Sequence, residues 1–218
     1  MSSLTNKKRF AMTMIELLVC ISIMVVFVAL LAPAIMAIRH AAWNLQCQSN
    51  AKNISMALIH YDSLHRRLPG ASTSSLNDWA IAILPEIDQA DHSRQFIHGF
   101  NTTDPANMEP SKARPKAYMC PVNSDNASFL PEIPSGHYGL NANVSERSLV
   151  TVPCLSQTLL IGELPSGLSM PWIISPANSG IDFGGLHNKF SNVAFADGHV
   201  ECIKVSNTTN LGDPMAAP

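Results

Sequence analysis

Two hydrophobic regimes lie end to end in the first third of the chain. The first runs from Leu17 to Ile38, 22 positions without a charge. As a helix rising about 1.5 Å per residue it is about 33 Å long, enough to cross about 30 Å of bilayer hydrocarbon. The second is periodic: Trp43, Cys47, Ala51, Ile54, Leu58 and Tyr61 recur at steps of 4, 4, 3, 4 and 3. That spacing lines up one apolar stripe of an amphipathic helix. Asn44, Gln48, Lys52 and Asn53 lie largely off the stripe. Leu68-Pro69-Gly70 is a stop signal that ends the helix near Arg66 or Arg67. The two regimes predict one helix of roughly 55 residues, bent or loosened near Pro33 where a backbone donor is missing.

The rest of the chain carries weaker patterning. A Ser/Thr-rich linker after Gly70 leads to Asp78-Trp79-Ala80-Ile81-Ala82-Ile83-Leu84-Pro85, a short helix or packing segment. Residues 101–148 are rich in Pro, Asn and Ser and read as long ordered loops. Strands are predicted at Thr158–Gly162 and Trp172–Ile174. Near the end, Val193–Ala196 and His199–Val205 flank Asp197-Gly198, which predicts a hairpin with a two-residue type I′ turn. The tail after Ser206 is polar and is expected to be disordered.

Charge changes this picture by giving it a direction. Lys7, Lys8 and Arg9 precede the apolar run, and basic residues are sparse just after it, so the N-terminus is expected in the cytoplasm and the head outside. The formal net charge is −2 with 14% charged residues and no basic patch, which argues against a nucleic-acid partner. A cleaved signal peptide has an apolar core of about 7–15 residues, shorter than this run. Its only A-x-A, Ala32-Pro33-Ala34, holds a proline. Lipidation at Cys20 is disfavoured by the bulky Val19 before it. A plain anchor leaves Glu16 unexplained, because a carboxylate at a membrane edge needs a partner.

The block Ala11-Met12-Thr13-Met14-Ile15-Glu16-Leu17-Leu18-Val19 resembles the type IV prepilin processing site, with Ala11 in place of the usual Gly and Met12 in place of Phe. The resemblance implies cleavage between Ala11 and Met12 by a prepilin peptidase and N-methylation of Met12. It makes Glu16 the fifth mature residue, which pairs with a neighbouring subunit's N-terminus, and puts Pro33 where many pilins carry a helix-softening proline. Further along, L-Q-C-Q-S-N at Cys47, H-Y-D-S-L-H-R-R-L-P, W-A-I-A-I-L-P-E-I-D-Q, Y-M-C-P-V, S-Q-T-L-L-I-G-E and H-x₉-D-G follow one another. In that order they resemble a large family of pilin-like proteins of planctomycete-type bacteria, with His187, Asp197 and Gly198 as the C-terminal signature. The implied fold is α+β and type IV pilin-like: a long N-terminal helix, half membrane and half amphipathic, packed on a small antiparallel sheet with long loops. The implied organisation is a cytoplasmic leader 1–11, a membrane half 12–38, an amphipathic half 39–67, an extracytoplasmic head 68–206 and a tail 207–218. The implied role is a pseudopilin-like subunit of a type II secretion or type IV pilus-like system, in the inner membrane, with other pilin-like subunits as partners. The alternative is a monomeric membrane-anchored binding module.

Candidate chemistry in the head is sparse. Cys20 lies in the span, whereas Cys47, Cys120, Cys154 and Cys202 would lie on the oxidising side, where disulfides persist. Four thiols allow three connectivities. Cys47 on the apolar stripe faces the head, which favours Cys47–Cys120 and leaves Cys154–Cys202; four unbridged buried cysteines is the competing reading. For His187 and Asp197 the favoured reading is structural, with Asp197-Gly198 making the turn and His187 bracing the loop before it. No metal or other cofactor is expected. The lesser alternative is calcium on Asp197, Glu201 and loop carbonyls, as in some secretion pseudopilins of similar layout, although no spaced Asp/Asn loop is present. A transition metal on His187, His199 and Asp197 ranks below it. Glu163, at a strand end, is read as solvated. There is no nucleophile elbow, no phosphate-cradling Gly-rich loop and no zinc-ligand spacing, so no enzymatic activity is expected. Trp79 or Trp172 would be the contact of a binding head, but core is the favoured place for both.

Overall fold

The computed structural model describes residues 13–70, 78–97, 104–113, 115–122, 136–164, 173–174, 187 and 189–204. The expected processing site Ala11–Met12, the linker after Gly70, Trp172 and the tail 207–218 lie outside the described residues. The chain divides into two compact units, residues 1–42 and 43–218.

Helix α1 spans Met14–His65, 52 residues with Pro33 inside. Its start is a capping box. Glu16 Oε2 accepts from the Thr13 backbone N–H and from Thr13 Oγ1, both at 2.8 Å, and the Glu16 N–H donates to Thr13 Oγ1 at 3.3 Å. A Thr-x-x-Glu box satisfies donors that the first helical turn leaves open. In the first unit the side chains from Leu17 to Ile38 are exposed, and this apolar helix near the N-terminus is a candidate membrane anchor.

In the second unit the stripe faces inward as the periodicity predicts. Cys47, Ala51, Ile54 and Leu58 are fully buried, and Trp43 and Tyr61 half-buried. The helix stops one residue before the expected Arg66. Arg66 takes a left-handed conformation (φ 61°) and its N–H returns to the Asp62 carbonyl at 2.7 Å, an end more often made by glycine.

The head is α+β, with a central antiparallel sheet. Strands β1 (Tyr138–Asn141), β2 (Leu159–Glu163), β4 (Phe190–Phe195) and β5 (Val200–Lys204) form the antiparallel part. A two-residue strand, β3 (Ile173–Ile174), adds to β1 in parallel, giving the order β3-β1-β2-β4-β5. Short helices α2 (Trp79–Ala82), α3 (Ala90–Ser93) and α4 (Met108–Lys112) fill the connections. Leu140, Leu160, Ile161, Ala194 and Ala196 join Ala51, Ile54, Leu58, Trp79 and Tyr118 in the main core. Leu159, Leu164, Val193 and Phe195 form a second cluster with Ile203 against it. A register shift between Leu159 and Ile161 lets both Leu160 and Ile161 enter the main core, which strict alternation would forbid.

Two expectations of the sequence are corrected. The stretch read as loops, 101–148, holds α4, a 3₁₀ turn at Lys116–Tyr118 and the sheet strand β1. The Asp197-Gly198 turn is not a two-residue type I′ turn. The Gly198 N–H donates to the Phe195 carbonyl and the Phe195 N–H to the His199 carbonyl, both at 2.9 Å. Within the turn only Gly198 has positive φ, at 88°. This is a three-residue loop, a type I-like turn closed by a left-handed glycine. Type I′ would need positive φ at Asp197 too, which an L-residue resists; the extra residue removes that demand.

Gly198 also packs on α1. A Cβ there would sit 3.1 Å from Met56 Sδ and 3.5 Å from Ile59 Cδ1. Met56 is flexible enough to give way, so the conformation dominates the expected cost. Gly198→Ala should destabilise the head by about 1–2 kcal/mol, read as a lower urea midpoint for the full chain in detergent. An unchanged midpoint would remove the left-handed requirement.

Candidate functional site

Four donor side chains from four separate parts of the chain converge in the head. Cys47 comes from α1, Cys120 follows the 3₁₀ turn, Glu163 ends β2, and His187 precedes β4. Their sulfur, carboxylate and imidazole atoms all lie within 4.8 Å of one another. Cys47 and Cys120 form a disulfide with a Cα–Cα distance of 5.4 Å. His187 Nε2 lies 3.6 Å from Cys120 Sγ and 3.2 Å from Glu163 Oε1. The Glu163 side chain has no solvent exposure and that of His187 has 8%.

Each donor is held by backbone geometry. Cys47 is at the stripe position that meets the sheet, and its carbonyl accepts from Tyr138 Oη at 3.2 Å. The Cys120 N–H donates to His137 Nδ1 at 2.7 Å, which puts the His137 ring proton on Nε2. His187 is pinned by reciprocal backbone bonds with Phe190, at 3.2 and 3.0 Å. These bonds fix the backbone just before β4, and the ring faces the bridge, with Nε2 3.6 Å from Cys120 Sγ.

Glu163 overturns its sequence reading. It is fully buried, not solvated, because β2 is the central strand of the sheet and both its faces are covered. Its carboxyl oxygens are met by donors. The Asn192 N–H reaches Oε2 at 2.9 Å and Asn192 Nδ2 reaches Oε1 at 3.2 Å. Asn192 Nδ2 also donates to Asn44 Oδ1 on α1 at 2.9 Å. Burial, and after it the Glu163 charge, raise the Tyr138 phenol well above its ordinary range. A buried carboxylate with this many fixed donors is a preorganised acceptor.

The other signature residues lie elsewhere. Asp197 is exposed at the hairpin turn, where its Oδ1 accepts from the His199 N–H at 3.0 Å and also pairs with His199 Nδ1. Partial burial pushes the Asp197 carboxyl up, but the His199 backbone and imidazole outweigh it and hold the group below its usual range. His199 stacks on Phe195, with centroids 4.3 Å apart. Glu201 is exposed on β5. Asp197 therefore acts in the turn, and His187 in the buried cluster.

The remaining cysteines do not pair. Cys20, Cys154 and Cys202 are free, which corrects the expected Cys154–Cys202 bridge. The sheet register gives the reason: Cys202 sits opposite Asn192, whereas the Cys154 carbonyl accepts from the Thr158 N–H just before β2 begins, at the hairpin-turn end of the sheet. The gap is several residues along the strands, about 3.3 Å each, far beyond disulfide reach. Trp79 is fully buried and is core, not an exposed contact.

Sequence reasoning missed Glu163 and His137. The signal for Glu163 was present: Leu159-Leu160-Ile161-Gly162 is a continuous apolar run, the mark of a strand covered on both faces, so a residue at its end starts from burial. No comparable pattern marks His137.

No curated protein and no solved structure matches this chain. The family model for a protein of unknown function, DUF1559, matches residues 36–153, from the end of the apolar run through α1 and β1. The chain belongs to the DUF1559 family.

Proposed function

We propose that this protein is a pseudopilin-like structural subunit, stored in the inner membrane and assembled through α1 in a type II secretion or type IV pilus-like system. The observation that carries this reading is the continuity of α1, in which 22 uncharged and exposed positions run into a stripe buried in the head. A monomeric anchor has no need to join span and head in one helix; a subunit that packs helix against helix does. In this reading a prepilin peptidase cuts between Ala11 and Met12, Met12 is methylated, and Glu16 pairs with the terminal amine of a neighbouring subunit. The N-terminus lies in the cytoplasm and the head outside. The role is structural and non-enzymatic.

The capping box gives Glu16 a second use and so defines the test. Glutamine at the same position still closes the box, but it cannot form an ion pair with an amine. Glu16→Gln should leave the helix content unchanged and reduce cross-linked subunit contacts in native membranes at least about tenfold. Mass spectrometry of the wild-type N-terminus should find methylated Met12. An intact Met1 in cells with active prepilin peptidase, together with undisturbed Glu16→Gln, would instead indicate the monomeric binding module.

A further inference from the structure

We propose that the buried cluster is a redox-gated metal site: with the Cys47–Cys120 bridge reduced, Cys47, Cys120, His187 and Glu163 together bind one zinc ion. The inference is independent of filament assembly. Two thiolates, one imidazole and one carboxylate form a borderline-soft, four-membered donor set of the kind zinc takes in closed sites.

Geometry supports four-coordination. Zinc lies about 2.3 Å from sulfur and about 2.0–2.1 Å from nitrogen, so tetrahedral ligand atoms stand about 3.3–3.8 Å apart. Cys120 Sγ to His187 Nε2 is 3.6 Å and His187 Nε2 to Glu163 Oε1 is 3.2 Å. Two edges of the tetrahedron are therefore already set. On reduction the two sulfur atoms need only part to about 3.8 Å, and all four donor atoms already lie within 4.8 Å of one another. Asn192 supplies the outer shell by fixing both carboxylate oxygens of Glu163, the arrangement that orients metal ligands elsewhere. Cys47, Cys120 and Glu163 are buried and the His187 side chain is only 8% exposed, which limits competing water.

The chemistry balances. A dithiol reductant exchanges with the disulfide, giving two protein thiols and the oxidised reductant. Zinc binding releases both thiol protons to solvent. The imidazole proton, which donates from Nε2 to Glu163 in the bridged state, shifts to Nδ1 so that Nε2 can ligate. Two thiolates and one carboxylate then face a divalent ion, leaving one net negative charge beside the Asn192 donors. Bridge and metal exclude one another because both use the same two sulfur atoms.

The test uses the full chain in detergent with Cys20, Cys154 and Cys202 replaced by serine, leaving the two cluster thiols. After reduction and equilibration with zinc, elemental analysis should give one zinc per chain, and none for the oxidised chain. Cobalt(II) should show thiolate charge transfer and tetrahedral visible absorption. His187→Ala, checked for folding by circular dichroism, should weaken zinc binding at least about tenfold, the lower end of what losing even an outer partner of a ligand costs. No zinc uptake by the reduced chain would overturn the proposal. So would equal uptake by the oxidised chain, an octahedral cobalt spectrum without sulfur bands, or unchanged affinity in a folded His187→Ala chain. The cobalt spectrum is read on unsubstituted ligands, so the proposal stays testable if His187→Ala does not fold.

Discussion

Opening the Cys47–Cys120 bridge in the presence of a chelator is expected to lower the unfolding free energy of the head by about 4 kcal/mol. The two residues are 73 apart in sequence, and cross-linking a loop of that length restricts the unfolded chain by about 4–4.5 kcal/mol in the entropic model. Against a typical total of about 5–15 kcal/mol this is about a quarter or more of the head's stability. The bridge also ties α1 to the segment just after the Lys116–Tyr118 turn, where Asn50 Nδ2 donates to the Met119 carbonyl at 3.0 Å. Urea denaturation of the full chain in detergent should show a lower midpoint on reduction. A Cys47→Ala, Cys120→Ala double variant should match the reduced protein, and adding reductant to that variant should do nothing, since Cys20, Cys154 and Cys202 are free. The denaturant slope should rise, because an uncrosslinked chain exposes more surface on unfolding. A change below about 1 kcal/mol would mean that the cluster's other contacts, and not chain restriction, hold this end of the helix.

What the sequence revealed about this molecule follows the range of its signals. The stripe from Trp43 to Tyr61 repeats for five steps, so tertiary packing only had to accept it; Cys47, Ala51, Ile54 and Leu58 are all buried as the period requires. Strand β1 had no such support. Tyr138-Gly139-Leu140-Asn141 has no alternation, and it is a strand because β2 lies on one side and β3 on the other. Gly136 shows a second non-local cause. It has φ 67°, and a Cβ there would lie 2.1 Å from the Tyr118 carbonyl oxygen, so its identity is set by a segment 18 positions away.

The candidate site divides along the same line. His187 and both cysteines stood out by residue type, and Cys47 also by its helical face. The convergence itself was hidden. His187 and Asp197 are ten positions apart in one signature, yet one serves a buried cluster and the other a surface turn. One hairpin places two unrelated contacts: β4 carries Asn192 to Glu163, and the turn after β4 sets Asp197 against His199. The Asp197-Gly198 turn was legible as a turn. Its type was not, because Asp-Gly suits both loop lengths and the register of β4 against β5 decides between them.

A second large effect is expected from pH, through Asp78. Its side chain caps α2, with Oδ1 accepting from the Ala80 N–H at 3.1 Å. Oδ2 is buried without a hydrogen-bond partner among the described residues. Desolvation dominates over the Ala80 bond and raises the carboxyl to about 7. In the unfolded chain the same group titrates near about 3.9. Between those values the folded protein holds a proton that the unfolded chain has released, so stability falls as pH rises from about 4 to about 7 and is level on either side. A gap of about 3 units at about 1.4 kcal/mol per unit makes the loss about 4 kcal/mol, complete only above pH about 7. Asp78→Asn keeps an oxygen for the Ala80 N–H and removes the charge. It should stabilise the head by about 2–4 kcal/mol at pH 8 and change it by less than about 1 kcal/mol at pH 4. Tyr118, whose Oη donates to the Ala80 carbonyl at 2.8 Å, stays protonated across this range, since burial and then Asp78 raise its phenol well above its ordinary value. The difference between the two pH profiles isolates the contribution of Asp78. Urea midpoints measured from pH 4 to pH 8 should therefore converge at the acid end and separate toward the alkaline end. Parallel profiles would show that Asp78 is ionised in the folded head and that a donor outside the described residues reaches its second oxygen.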